Sequence, residues 1–268
     1  MTTTGRNSRW TLPDLDAAVR RCREQNARGI RCIFAALGEY SRSEQQAREN
    51  LERSSAAVAA IDEQALNASV AVKLTALGVL IDRSAVYDSL LRLACEARER
   101  GVGFEVDMEG RGLVAMTVEA AVVCSREGLP VTLTLQAALD RTPGDLERTV
   151  RHGLRPRLVK GAYPGDTNDP EEIRRRFCAL ATGLLARAVP FSVGTHDPDL
   201  IAWLVQDTPR TVEFGFLMGL SDETKHWLAK KGRAVAEYVP FGEEAGAYVA
   251  RREAYLEKLA AEGRSPVP

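Results

Sequence analysis

Eight short apolar runs, each followed by a helix-like segment, constrain this chain more than any other feature. The runs are GIRCIFAALG (29–38), ASVAVKL (68–74), VGFEVD (102–107), PVTLTLQ (130–136), RPRLVK (155–160), VPFSVG (189–194), TVEFGFL (211–217) and RAVAEYV (233–239). Each is too short for a buried helix and is bounded by Gly, Pro or charged residues, so length and composition predict strands. Helical spacing marks 41–62, 84–100, 117–127, 169–188, 198–206, 221–230 and 242–262, and a short helix opens at Thr142-Pro143-Gly144-Asp145. In 84–100, for example, Val86, Leu90, Leu93 and Ala94 share one face. One more helix, running to about Asn26, precedes the first strand. Strands alternating with helices imply a parallel sheet. Eight such units in roughly 250 residues predict a closed (β/α)8 barrel. A doubly wound open sheet is the alternative, but Gly38-Glu39-Tyr40 is not the glycine-rich turn that would favour it.

Local signals place the ends. Thr11, Thr142 and Ser221 are candidate N-caps, with Pro13 and Pro143 in first turns. No linker divides the chain, so a single catalytic domain over 1–268 is expected, with residues 1–10 and 263–268 as flexible ends. The net charge of −1 argues against nucleic acid as a partner. The five cysteines are scattered and form no metal-like grouping, which fits a reducing cytosol. The first residues are polar, unlike a secretory signal, and no apolar run is long enough to span a bilayer. A location in the cytoplasm follows, with docking on the inner membrane face left open.

The rest of the chain is organised around Arg157-Leu158-Val159-Lys160-Gly161-Ala162-Tyr163, which taken alone is either a strand end with solvated basic residues or a cationic site for an anionic group. In a strand, Arg157 and Val159 point one way and Leu158 and Lys160 the other. A cation directed into a barrel must be paired or must hold an anion. Barrel enzymes carry their sites at the carboxyl ends of strands. Those ends here bear Lys73, Asp107, Gln136, Arg157 with Lys160, Thr195 with His196, Leu217 and Tyr238, all polar but Leu217. On the last helix, Tyr248, Arg251, Arg252 and Tyr255 share one face. That face is either a solvated basic stripe or a two-arginine clamp for a carboxylate, walled by tyrosines. His196 alone is equally a hydrogen-bonded core imidazole, and Asp107 alone a structural partner for Lys73.

These residues, in this order, resemble the proline dehydrogenase family, the flavin-dependent (β/α)8 enzymes that oxidise L-proline, in its monofunctional bacterial form. The likeness runs from about Asn26 to Arg252. It rests on Ser69 to Leu74, Val106-Asp107-Met108-Glu109, Leu135-Gln136-Ala137, Arg141-Thr142, Arg157 to Tyr163, Thr195-His196-Asp197, Glu213-Phe214, Tyr238 to Gly242 and Tyr248 to Arg252. The resemblance implies that Asp107 and Arg157 are catalytic. It implies that Lys73, Arg251 and Arg252 hold the proline carboxylate, while Ala162, Tyr163, Leu217, Tyr238 and Tyr248 shape the ring pocket. Met108, Gln136, Val159, Lys160, Gly161, Ala162, Thr195 and His196 would touch FAD. No metal is implied.

The expected reaction is hydride transfer from L-proline to FAD, giving Δ1-pyrroline-5-carboxylate. Electrons then pass to a quinone or another acceptor, and a separate dehydrogenase takes the product. Five departures from the family pattern stand out: Gly215 for a Gln, Met218 for a Tyr, Ala138 for a Tyr, Pro164-Gly165-Asp166 after Tyr163, and Tyr255 for a Glu. They touch flavin packing and the support of the clamp. Two other functions fit the same strand ends: a Schiff-base aldolase using Lys73 or Lys160, and a repurposed relative that binds FAD or an imino acid.

Overall fold

The computed structural model describes residues 9–261 and 263–268. Eight parallel strands close in sequence order, β8 pairing with β1. They are β1 Arg31–Ala36, β2 Ala68–Val72, β3 Gly103–Val106, β4 Thr132–Gln136, β5 Arg155–Val159, β6 Ser192–Gly194, β7 Glu213–Leu217 and β8 Val235–Phe241. The helices are α1 Leu15–Asn26, α2 Glu44–Glu63, α3 Arg83–Glu99, α4 Val114–Arg126, α5 Thr142–Arg151, α6 Pro170–Ala186, α7 Pro198–Asp207, α8 Asp222–Lys230 and α9 Gly246–Ala261. Closure through the register Ile33↔Tyr238 and Ala35↔Pro240 excludes the open sheet.

Strand parity separates two interiors. Phe34↔Val70↔Phe104 and Leu158↔Val193↔Phe214 stand in register and face the helices. All are buried in the main core between sheet and helix ring. Each such side chain stabilises the fold by about 1.5–3 kcal/mol. The opposite parity lines the barrel lumen. There a smaller apolar cluster of Ile33, Ala35, Ala71, Ala236 and Tyr238 is capped by Trp10, Tyr248 and Val249.

The two ends of the chain decide where the last helix lies. The segment before α1 is extended: Leu12 bridges Phe241, its N–H donating to the Pro240 carbonyl. From there α1 descends beside β8 and β1, where Arg21 reaches Glu237 at 2.7 Å. This slot beside the closing strand pair is therefore filled, and α9 instead brings Tyr248 over Tyr238, the rings parallel within 8°.

Several sequence expectations change. Thr11 does not cap α1, because the chain is still paired with β8 there; Asp14 does, accepting from the Ala17 N–H at 2.8 Å. Thr142 is the first residue of α5 rather than its cap, and its hydroxyl turns back to the Gln136 carbonyl at 2.5 Å. Ser221 precedes α8 in the left-handed region, φ 59°, with its hydroxyl given to His196 instead of to the helix. A short 3-10 turn, Arg111–Leu113, leads into α4, which begins at Val114 rather than Thr117. The last helix starts at Gly246 rather than Gly242. The tail is not frayed: Val267 donates to the His196 carbonyl, Thr224 donates to the Pro268 carbonyl, and Arg264 pairs with Asp197 and Asp199. Of the expected flexible first ten residues, 1–8 lie outside the described residues; Arg9 and Trp10 are held, Arg9 by the Gly219 carbonyl.

Candidate active site

The carboxyl ends of β2, β3, β5 and β8 aim four polar side chains at one point. Lys73, one residue past β2, donates from Nζ to Asp107 Oδ2 at 2.8 Å and to the Tyr238 hydroxyl at 2.9 Å. Tyr238 donates to the same Oδ2 at 2.6 Å. The other oxygen, Oδ1, accepts from Arg157. Arg157 is anchored further by Thr134 Oγ1, at 3.0 and 2.8 Å, and by Glu105 at 2.5 Å. All four groups are fixed by strand position, and they are largely buried. Buried charges persist only when paired and hydrogen-bonded, and each here is both.

The protonation states follow from the geometry. Burial pushes the Asp107 carboxyl up, but Lys73 and Arg157 outweigh it and hold the pKa down at about 2. Burial lowers the Lys73 ammonium, yet Asp107, Tyr238 and Glu39 raise it well above the ordinary lysine value. Burial and the Asp107 charge both push the Tyr238 phenol up. At neutral pH the cluster is thus an ammonium, a carboxylate, a guanidinium and a neutral phenol.

The clamp face of α9 meets this cluster from above, and its two arginines are not equivalent. Arg251 pairs with Glu39 at 2.5 Å and lies 5.0 Å over the Tyr163 ring. Arg252 lies 4.8 Å over the Tyr248 ring, and its Nε is buried without a hydrogen-bond partner among the described residues. The Tyr248 hydroxyl and the Trp10 indole nitrogen are buried without partners as well. Buried donors left unsatisfied are costly, and three of them meet on this face of the mouth. Leu217 packs against the same lumen cluster. Of the remaining wall, Ala162 is exposed and Tyr163 half-buried, its hydroxyl 3.5 Å from Glu39.

The β4–β7 side is built differently. Gln136 donates to the Glu109 carbonyl at 3.0 Å and accepts from the Ala162 N–H at 3.2 Å, so it fixes the turn after β5. A Cβ on Gly161, where φ is 137°, would lie 3.2 Å from Ala138 and 3.5 Å from the Gln136 amide oxygen. Val159, Gly194 and Gly215 stand side by side facing the lumen. A Cβ on Gly194 would sit 3.1 Å from Val159, and one on Gly215 would sit 3.0 Å from the Val193 carbonyl. At Gly194 and Gly215 this wall is bare backbone, beside the Val159 side chain.

Lys160 reaches Asp197 at 3.0 Å. Thr195 accepts from the Asp197 N–H at 3.1 Å. His196 uses both ring nitrogens inside the protein: Nε2 accepts from the Leu217 N–H at 3.2 Å, so Nδ1 carries the proton and donates to Ser221 Oγ at 2.7 Å. Burial, with the charges of Arg252, Lys225 and Lys160, holds its pKa down at about 3, and the ring is neutral. Met108 packs its side chain into the main core, so it offers the mouth backbone only.

Four residues near the site escape sequence reasoning. Glu39 lies just beyond β1, and Arg251 and Lys73, the latter at 3.6 Å, both approach it. Glu105 shares the parity of Asp107, a signal present in the sequence but buried inside an apolar run. Ser221 reads as a cap. Arg174 on α6 pairs with Asp197 and Asp199 at 3.5 Å, and its Nε makes no hydrogen bond; nothing in a charged helix singles it out. The Ala138 and Pro164-Gly165 departures explain each other. A Cβ on Gly165 would lie 2.6 Å from the Ala138 Cβ, and Asp166 and Thr167 both donate to the Ala138 carbonyl. The loop after β5 takes the space that a larger residue at 138 would fill.

Known proteins resemble this chain over most of its length. The family model described as proline dehydrogenase matches residues 18–175. Proline dehydrogenase 1 of Bacillus subtilis (strain 168) is 30% identical over 250 residues, 89% of this chain and 82% of its own. Proline dehydrogenase of Deinococcus radiodurans is 27% identical, covering 96% of this chain and 90% of its own. Among solved structures, proline utilization A of Bdellovibrio bacteriovorus superposes with a TM-score of 0.84 at 21% identity, over 92% of this chain. The chain spans only 32% of that longer protein, and the likeness shows the fold. The chain belongs to the proline dehydrogenase family.

Proposed function

We propose that this protein oxidises L-proline to Δ1-pyrroline-5-carboxylate, with FAD as the bound oxidant. The observation that carries the reading is the partnerless Nε of Arg252, poised above the Lys73–Asp107–Tyr238 cluster. Lys73 has a third N–H: its approach to Glu39, at 3.6 Å, is longer than a hydrogen bond, so that donor is available. Arg252 and Lys73 then grip the substrate carboxylate, with Arg251 held by Glu39 beside them. The stacked Tyr238 and Tyr248 rings and Leu217 wall the apolar ring. Fixing the ring in one pose is the largest service a site of this kind can render.

The residues present suit a flavin. The wall at Gly194 and Gly215 carries no side chain, and a Cβ there would already press on Val159 or the Val193 carbonyl, so glycine keeps this strand surface flat for a planar ring system to lie against. Gln136, Val159, Lys160, Gly161, Ala162 and Thr195 line the adjoining strand ends and turn, and Lys160 and Arg174 supply cations for the pyrophosphate. His196 contributes through its ring face and backbone, its nitrogens being in use. When bound, the flavin supplies a two-electron acceptor for the hydride of the ring carbon next to nitrogen. Arg157, locked between two carboxylates and Thr134, offers a positive charge that needs no rearrangement as negative charge develops beside it. Asp107 cannot serve as a proton acceptor near neutrality with a pKa near 2. Its work is to hold Lys73, Tyr238 and Arg157 in one constellation.

A Schiff-base lyase fits this site poorly. Its lysine must be a neutral amine, whereas Lys73 is held charged by Asp107, and Lys160 is paired with Asp197. Among the described residues no helix is long and apolar enough to cross a membrane. A quinone or another acceptor reoxidises the enzyme in this reading, from the cytoplasm or docked on the inner membrane face, and a separate dehydrogenase removes the product. The test is the visible spectrum of the purified protein under anaerobic conditions. Loss of the yellow band on adding L-proline supports the reading. A colourless protein, or a yellow one that proline leaves unbleached, contradicts it.

A further inference from the structure

The charged cluster does not stop at Arg157. Below it, at the amino end of the lumen, Glu105 accepts from Arg157 with Oε2 and uses Oε1 for Ser69 at 2.5 Å and Arg31 at 3.1 Å. Arg31 in turn forms two hydrogen bonds with Glu213, at 2.9 and 2.8 Å. Arg31 and Glu213 are the first residues of β1 and β7, far below any position a substrate could reach. The result is an unbroken file of alternating charge up the lumen: Glu213, Arg31, Glu105, Arg157, Asp107, Lys73, Glu39 and Arg251. Four carboxylates offset four cations in that file, and Arg252 stands outside it. Glu105 and Asp107 grip Arg157 in the same way, each giving it one oxygen and spending the other on the next cation along.

We propose that Glu105, Arg31 and Glu213 are positioning residues for the reaction: they fix the Arg157 guanidinium from below and set how much positive potential reaches the mouth. A buried barrel floor needs only apolar packing to be stable, and a buried ion pair is weak evidence for stability. A charge file linked end to end does something packing cannot, because each member changes the field felt by the next. Removing Glu105 leaves Arg157 less neutralised, and the mouth becomes more attractive to an anion. Removing Arg31 frees Glu105 to neutralise Arg157 more fully, and the mouth becomes less attractive. Glu213 acts one step further away with the sign of Glu105. A merely structural role gives damage in one direction for all three.

The inference rests on the proline-oxidising reading for its substrate, and the experiment separates the two. Glu105→Gln, Arg31→Met and Glu213→Gln are prepared in the flavin-loaded protein, with folding checked by circular dichroism. Two quantities are read: the dissociation constant of tetrahydrofuran-2-carboxylate, a proline analogue without an oxidisable nitrogen, and the midpoint potential of the bound flavin. The expected pattern alternates. Glu105→Gln binds the carboxylate roughly three- to ten-fold tighter, Arg31→Met roughly three- to ten-fold weaker, and Glu213→Gln shifts in the direction of Glu105→Gln by less. The potentials move up, down and up in the same order. Should Glu105→Gln fail to fold, the opposed signs of Arg31→Met and Glu213→Gln carry the test. Shifts of one sign in all folded variants, or no shift, overturn the proposal. Alternating shifts in a protein that proline does not bleach uphold it and remove proline oxidation instead.

Discussion

On the β2, β3, β5 and β8 side of the mouth, Lys73, Arg157 and Tyr238 converge on the Asp107 carboxylate, each hydrogen-bonded to it, whereas on the β6–β7 side Gly194 and Gly215 bring no side chain at all. His196, the titratable ring of the second sector, spends both nitrogens on Leu217 and Ser221. One sector presents charge and the other a strand surface without side chains at Gly194 and Gly215. The contrast teaches how a single lumen can hold two partners of different chemistry: a small carboxylate on the charged side and a broad planar group on the bare side. It also explains why Gly215, a departure from the family pattern, leaves the charged cluster untouched.

The largest effect should come from the hub of the charged sector. Asp107→Ala strips Lys73, Arg157 and Tyr238 of their common partner, and kcat/KM for proline should fall by roughly 10³-fold, of the order seen when a fixed electrostatic group is lost. A fall below tenfold would show that the sector is architecture. Next comes the clamp. Arg252→Ala should raise KM for proline by roughly 30- to 100-fold, the usual scale for a charge-assisted contact, while kcat changes less. An unchanged KM would place the carboxylate elsewhere.

The bare sector should respond in a different currency. Gly215→Val fills the wall, and flavin affinity, read from the cofactor retained on dilution, should drop by roughly tenfold through overpacking. Retention equal to wild type would mean the ring lies on another wall. The smallest effect is on stability against pH. The His196 pKa falls from its ordinary value to about 3 in the fold, so its contribution is complete above about pH 6.5 and is lost as pH drops toward 3. The Asp107 pKa is depressed to about 2, so its contribution begins to fade only near pH 4. Melting temperature should therefore decline in two stages on acidification, and His196→Gln should shrink the first stage and leave the second, with His226, also lowered by burial, supplying the remainder of the first. A single-stage decline in wild type would contradict the neutral, fully bonded imidazole.

Much of this was legible in the sequence because strand period and chain order carry it. The alternation of parity in Arg157-Leu158-Val159-Lys160 places Arg157 in the lumen and sends Lys160 to Asp197. The spacing of Tyr248, Arg251 and Arg252 announces a shared face on α9. What the sequence hides is competition for the same donor or acceptor. Thr142 and Ser221 have the chemistry of helix caps, but tertiary partners claim their hydroxyls: Thr142 donates to the Gln136 carbonyl, and Ser221 accepts from His196 Nδ1. Glu39 escapes because it lies in the loop three residues past β1, where only the folded chain brings Arg251 to it. The docking of the 263–268 tail depends on backbone groups of His196 and Thr224, which no side-chain pattern records.

The mouth divides into a half that carries charge and a half without side chains at Gly194 and Gly215. The most direct test is a crystal structure of the flavin-loaded protein with tetrahydrofuran-2-carboxylate bound. The account predicts the carboxylate on Arg252 and Lys73, its ring against Tyr238 and Tyr248, and the flavin ring along Gly194 and Gly215. A carboxylate held away from Arg252, or a flavin ring seated against the Lys73 and Asp107 side, would contradict it.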